Sequence, residues 1–293
     1  MRILIFLCVL SLVFSSTSQN SRDPSSTGEI NKKRFVISNS SIGLLSSASL
    51  IGLHRLWYSK ETQEAFHLFE DSKNWMQMDK MGHVMSSYEL SRNMSKVYEW
   101  TGMSRHNSAL LASSVSFAYM SAIEIMDGHS SEWGFSVSDM AANLIGPGWF
   151  LFQESFFSKQ IFQPKFSFHQ TMYADLRPQV LGSNFIESLL KDYNGQTYWI
   201  SFSPGQLGVK KWPKWIMLSL GHSVDGRLKG NSSHFMGYES HREYLFSLDI
   251  DLTEIQVNSK FLKSLFKVVN CVKIPFPAIV ISKGEFNVSP LYF

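Results

Sequence analysis

Between Asn107 and Met126 the chain carries a single charged residue, Glu124, in a run that is otherwise apolar, small or hydroxylic around its whole circumference. A helix of that composition must be enclosed by protein or lipid on every side. An ionised carboxylate left alone there would cost several kcal/mol, on the order given for buried charges, so Glu124 requires a partner or a proton. The candidate partners are Lys80, His83 and a metal ion.

This segment and two neighbouring ones each carry one polar pair at helical spacing. Asp79 and His83 are four apart in WMQMDKMGHVMSSYEL, Glu124 and Asp127 three apart in FAYMSAIEIMDG, and Asp139 and Asn143 four apart in FSVSDMAANLIGPG. On a helix each pair projects from one face. If the three faces converge, the polar cluster comprises Asp79, Lys80, His83, Glu124, Asp127, Asp139 and Asn143. Such a cluster fits a polar lock that pins helix register, because buried polar groups satisfy one another. It also fits a divalent metal held by His83, Glu124 and Asp139, since carboxylates and imidazoles on adjacent bundle helices form such sites. Intramembrane acids mark proton or solute pathways as a third class.

The helix around the first pair reads in two ways. Met81, Val84, Met85 and Tyr88 form an apolar face, with Asp79, Gly82, His83, Ser86 and Ser87 opposite. In water the polar face points outward; in a bilayer it faces the bundle interior. Ser136 or Ser138 is placed to cap the third helix, Asp139 suits its first turn, Gly146 permits a close neighbour, and Pro147 is expected to kink or interrupt it.

The chain starts with Arg2, an apolar run from Ile3 to Phe14, and small residues at Ser16 and Ser18, the pattern of an export signal cut after Ser18. Residues 19–38 read as a flexible leader, 39–160 as a helical bundle, and 161–293 as a strand-rich mixed region. The stretch SIGLLSSASLIGLHRLWYS is either a buried helix or one capped at an interface by His54, Arg55, Trp57 and Tyr58. The expected fold class is α+β, with an N-terminal helical bundle suited to a membrane followed by a smaller part containing strands. Removing the signal, which contains Cys8, leaves only Cys271, so no intramolecular disulfide is expected.

In the second half QTYWISFS, KWIMLSLGHSV and REYLFSLDIDL read as strands, and Asn184–Tyr193 as a short helix. Tyr244, Phe246, Leu248 and Ile250 alternate with Ser247, Asp249 and Asp251, which places one apolar face on that strand and a solvent-facing polar one. About four strand candidates are visible, short of the eight that the smallest closed membrane barrels need. Ser259 to Asn270 is amphipathic, with lysines beside an apolar face, equally a core helix and a membrane-surface helix. His129, His222, His234 and His241 lack paired spacing and read as surface or core residues.

Several function classes are excluded. Of 27 basic residues Arg2 lies in the export signal, and the remainder nearly balance 24 acidic ones without a basic stretch, so nucleic acid is not an expected partner. There is no G-x-S-x-G elbow, no Gly-rich phosphate loop and no His-Glu-x-x-His motif. The 44% apolar and 14% aromatic content leans toward membrane contact, with lipid or envelope components as partners.

The order Asp79-Lys80 with His83, then Glu124, then Asp139 with Ala142, Asn143 and Gly146 resembles the YfiM-like family of predicted periplasmic lipoproteins. More distantly it is similar to VanZ-like membrane proteins. NWMQMDKMGH, EWGFSVSDMAANLIG, KFSFHQT and LLKDYNGQTYWIS look like the long form of Bacteroidota-type bacteria. The resemblance covers roughly Asn74 to Ser203 and implies an envelope protein with a helical core and no assigned activity. Cys8 lacks the small residues that precede a lipidated cysteine, a departure from the lipoprotein pattern. The reading is therefore a membrane-associated envelope protein of structural or interaction role on the periplasmic side, the outer membrane included; the alternative is a metal-dependent hydrolase acting on an envelope lipid or glycan.

Overall fold

The computed structural model describes residues 29–55 and 63–293; the export signal, Cys8, Trp57 and Tyr58 lie outside the described residues. The fold is α+β, with N-terminal helices followed by a six-stranded antiparallel sheet. The chain divides into two compact units, Met1–Ser72 with His83–Lys159 and Lys73–Gly82 with Gln160–Phe293.

The first unit is built on α1 (Lys32–Leu53), α2 (Met78–Trp100, from His83 on), α3 (Arg105–Asp127) and α4 (Val137–Phe157). The α1 helix opens inside the stretch expected to be a flexible leader. Asn31 caps it by accepting from the Arg34 amide at 3.0 Å, and the Asn31 amide donates to the Thr101 carbonyl at 2.8 Å. These bonds satisfy donors that a helix start otherwise leaves orphaned, and they override the polar composition that reads as disorder. Leu90, Met94, Tyr98, Ala112, Tyr119 and Ile123 form the core against Ile42 and Leu53 of α1. A second cluster joins Tyr88, Ala109 and Phe150.

Pro147 does not interrupt α4, which is helical from Val137 to Phe157. The proline withdraws one N–H from the ladder, and at the same place the Ser113 hydroxyl of α3 donates to the Pro147 carbonyl at 3.4 Å. Gly146 is required by packing. A Cβ there would lie 2.2 Å from Ser87 Oγ and 2.3 Å from the Val84 carbonyl oxygen.

Polarity on α4 is inverted. On α4 the buried residues include Asp139, Asn143, Gln153 and Glu154, whereas Leu144, Ile145, Phe152 and Phe156 are exposed. On α2 the face carrying Ser86 and Ser87 is buried as fully as the opposite one carrying Met85 and Tyr88. Among the described residues α1 and α3 are long and apolar enough to cross a bilayer, by length and composition.

The second unit holds β1 (Phe162–Phe168), the short helices α5 (Met172–Leu176), α6 (Pro178–Leu181) and α7 (Phe185–Lys191), then β2 (Gln196–Phe202) and β3 (Ile216–Asp225). It continues with the small hairpin β4 (His234–Phe235) and β5 (Tyr238–Glu239), then β6 (His241–Ile250), α8 (Lys260–Val269), β7 (Phe276–Ser282) and β8 (Glu285–Tyr292). The sheet order is β1-β2-β3-β6-β7-β8, and each neighbouring pair is antiparallel. The segment before β7 lies along β1: the Phe166 amide donates to the Cys271 carbonyl and the Lys273 amide to the Phe166 carbonyl, both at 2.9 Å. The sheet curls, since Tyr292 of β8 packs on Trp199 of β2 at 5.8 Å and its hydroxyl is 3.0 Å from that of Thr197.

The expected assignment of strand faces is corrected here. On β6 the polar side, with Ser247 and Asp249, is buried, and Asp251 just beyond the strand is buried too, while Tyr244, Phe246 and Leu248 are exposed. The buried side works because its neighbours are complementary. Lys165 and Asp249, both fully buried, form a 2.8 Å ion pair, and Lys165 also donates to the Ile250 carbonyl at 2.7 Å. Across the sheet Gln163, Ser201, Ser219, Ser247 and Ala278 stand in one register row, small enough to line the inside of a curled sheet.

Candidate functional site

Three helices of the first unit bring His83, Glu124, Asp139 and Asn143 together. His83 stands on α2 one turn before Ser87, whose hydroxyl donates to the His83 carbonyl at 2.8 Å. Glu124 stands in the last turn of α3. Asp139 stands in the first turn of α4, whose N-cap Ser136 accepts from the Asp139 amide at 3.0 Å. The hydroxyls of Ser136 and Ser138 both donate to Asp71, so the start of α4 is fastened before it reaches the site. Asn143 follows Asp139 by one turn.

The imidazole is the hub. His83 Nδ1 lies 2.9 Å from Asn143 Oδ1 and 3.5 Å from Glu124 Oε1, and Nε2 lies 4.0 Å from Asp139 Oδ1. Glu124 is 1% exposed, Asp139 5% and Asn143 0%. Each ring nitrogen therefore faces an acid on a different helix. The 2.9 Å contact requires a proton on Nδ1, because the carbonyl oxygen of an amide only accepts. Close approach of α2 and α4 depends on Gly146 one turn further on, and α3 is tied to α2 by the Ser116 hydroxyl donating to the Ser87 carbonyl at 2.8 Å.

Asp79 and Lys80, in the first turn of α2, belong to the second unit, where the Tyr193 hydroxyl donates to Asp79 at 2.8 Å and Lys80 approaches it at 3.4 Å. Asp127 ends α3, half-buried. His222 is a strand residue held low in pKa by burial first and by the Arg242 charge second.

Sequence reasoning missed several polar groups. Trp75, Met76 and Gln77 hold consecutive positive φ angles of 49°, 51° and 63°, a region that costs non-glycine residues energy. They are held by the Trp75 amide on the Gly230 carbonyl at 2.8 Å and by Arg242 on the Met76 carbonyl at 2.7 Å. Nothing local in NWMQ announces this turn, because its anchors lie far along the chain. Buried Glu89 pairs with Arg92 at 2.9 Å three residues on, a spacing that was readable.

Comparison with known families adds one finding. Residues 64–155 match the DUF2279 family model. That family is described as predicted periplasmic lipoproteins, and the matched segment, less than half of the chain, spans His83, Glu124, Asp139 and Asn143. The exported, periplasmic and membrane-associated location expected from the leader agrees with this description. No curated protein and no solved structure matches the chain.

Proposed function

We propose that this is an envelope protein of structural or interaction role, whose helical unit is a membrane-associated body locked by the His83 cluster. The observation that carries the reading is the imidazole with its two nitrogens turned to acids on two other helices, beside an α4 that turns Leu144, Ile145, Phe152 and Phe156 outward. Such an inside-out arrangement suits helices that meet lipid, because burying Asp139, Asn143 and Glu124 together leaves Leu144, Phe152 and Phe156 for the acyl phase. The likeness to the YfiM-like long form and to VanZ-like proteins belongs to this proposal, and rests on Asp79-Lys80, His83, Glu124 and Asp139 with Asn143 at their spacing. Carbonate washing of cell membranes tests the association: protein retained in the pellet supports it, and release into the supernatant defeats it.

A second reading is favoured by one distance. The 4.0 Å from His83 Nε2 to Asp139 Oδ1 is long for a hydrogen bond and suits two ligands on either side of a divalent ion, with Glu124 near. His83 and Asp139 would hold the ion, which would polarise water for hydrolysis of an envelope lipid or glycan. Elemental analysis of the purified protein decides: stoichiometric metal that is lost in His83→Ala supports this reading, and metal-free protein with intact helices removes it.

A further inference from the structure

Besides its inner apolar cluster of Trp199, Leu245, Ala278 and Val280, the sheet carries an apolar outer face that its register makes explicit. Ile200, Leu220, Phe246, Ile279 and Val288 are successive direct partners across β2, β3, β6, β7 and β8. All five point outward and are between 41% and 73% exposed. The row toward one end adds Leu218 and Leu248, and the row toward the other adds Tyr244 and Phe286. Behind this face lie the hydroxyls of Ser201, Ser219 and Ser247 and the Lys165–Asp249 pair. An apolar face continuous over five strands, with ions on its inner side, is the opposite of a water-facing sheet.

One end of the same sheet is cationic. The β2–β3 connection exposes Lys210, Lys211 and Lys214 beside Trp215, and α8 exposes Lys263 beside Phe261. These two connections meet at one end, since Ile216 opposes Ile250 and the Asp251 amide donates to the Trp215 carbonyl at 2.9 Å. The acids there are engaged: Glu254 accepts from Gln206, and buried Asp251 accepts from Gln163, Gln206 and Thr253. Lysine and tryptophan bordering an apolar face are the groups that settle at an anionic headgroup layer.

We propose that the outward face of β2, β3, β6, β7 and β8 is a lipid-contacting surface that lies against one anionic phospholipid leaflet, with Lys210, Lys211, Lys214 and Lys263 at the headgroups. This deepens the membrane association proposed above and rests on it. The contact is monotopic. Three rows two residues apart extend roughly 13 Å at about 3.3 Å per residue, against about 30 Å of bilayer hydrocarbon, and beyond the third row come Arg242, Glu243 and Asp225. The charge complementarity of the rim selects lipid over an apolar protein groove.

The test uses the full chain with both cysteines replaced by serine, reconstituted in vesicles of phosphatidylethanolamine and phosphatidylglycerol. Nitroxide labels are placed singly through Leu220→Cys, Phe246→Cys and Ile279→Cys, and on the helical unit through Leu144→Cys and Phe152→Cys. Strand labels that collide with oxygen far more than with a water-soluble nickel chelate bear the proposal out. Strand labels open to nickel overturn it, and strand labels closed to both reagents overturn it in favour of a protein cover, a second copy included. If the helical labels are in lipid while the strand labels are in water, this inference fails and membrane association stands; if all are in water, both fail. With Lys210, Lys211 and Lys214 all changed to glutamine, nickel access at the strand labels rises about tenfold or more by the weakening of headgroup attraction; unchanged access overturns the role given to the rim.

Discussion

Removing the imidazole at position 83 isolates what the cluster does. In His83→Leu, Glu124 and Asp139 remain buried with their common neighbour gone. If the ring is protonated and both acids are ionised, opposite unit charges at the observed 3.5 and 4.0 Å attract by roughly 4–5 kcal/mol each at an effective dielectric of about 20, before desolvation is counted. The measured cost of breaking a buried pair by deleting one partner is about 3–5 kcal/mol, and that is the expected loss. Because the chain has two compact units, global melting does not isolate the term. Hydrogen exchange read on peptides of α3 and α4 does. A loss of about 3 kcal/mol appears there as exchange faster by a hundredfold or more. Adding Glu124→Gln and Asp139→Asn to His83→Leu should restore most of the protection, since neutral amides carry no charge to strand. Protection reduced by less than about 1 kcal/mol, the worth of an ordinary hydrogen bond, or no recovery in the triple variant, would refute the argument that charge neutralisation holds these helices.

Three further outcomes are expected. Gly146→Ala should destabilise the α2–α4 contact by about 1–3 kcal/mol, the usual range for overpacking; adding Ser87→Ala should not rescue it, because the Val84 carbonyl still stands 2.3 Å from the new methyl, and full rescue in exchange experiments would contradict the packing. Lys165→Met alone should cost about 3 kcal/mol, the low end for a broken buried pair because Lys273 and the Ile274 amide still face Asp249, and Lys165→Met with Asp249→Leu should recover part of it in denaturant unfolding of the strand unit; equal losses in single and double variants would count against it. Lys273, pushed down to about 8 by burial, then pulled up by Asp249 and down again by Lys165, holds fewer protons folded than unfolded. Strand-unit stability should therefore rise between pH 8 and 10 by about 1–3 kcal/mol, and Lys273→Met should flatten that rise; a slope of the opposite sign would refute it.

The helices and their common point were legible because each rests on a local rule. Glu124 alone in an apolar run demanded a partner or a proton, and His83 Nδ1 stands 3.5 Å from it. The strands were legible as strands and misread as faces. Period-two alternation in Tyr244 to Ile250 states that one side differs from the other, and nothing in it states which side meets solvent. The partner that makes the polar side the inner one, Lys165, is 84 residues away in sequence from Asp249. That lysine sits in β1, where Phe162, Phe166 and Phe168 alternate with Gln163, Lys165 and Ser167, a strand pattern masked by Pro164. The Tyr193 hydroxyl that donates to Asp79 is a contact with no local signature for a similar reason.

The strip 271–273 laid along β1 also bears on how copies of the protein meet. An uncovered strand rim invites another chain to add itself and start a fibre. Here one rim is occupied by the protein's own backbone at Phe166, and the other, β8, carries Pro290, which has no amide to donate. Both borders of the sheet thus carry an obstacle to the edge-to-edge pairing that starts a fibre.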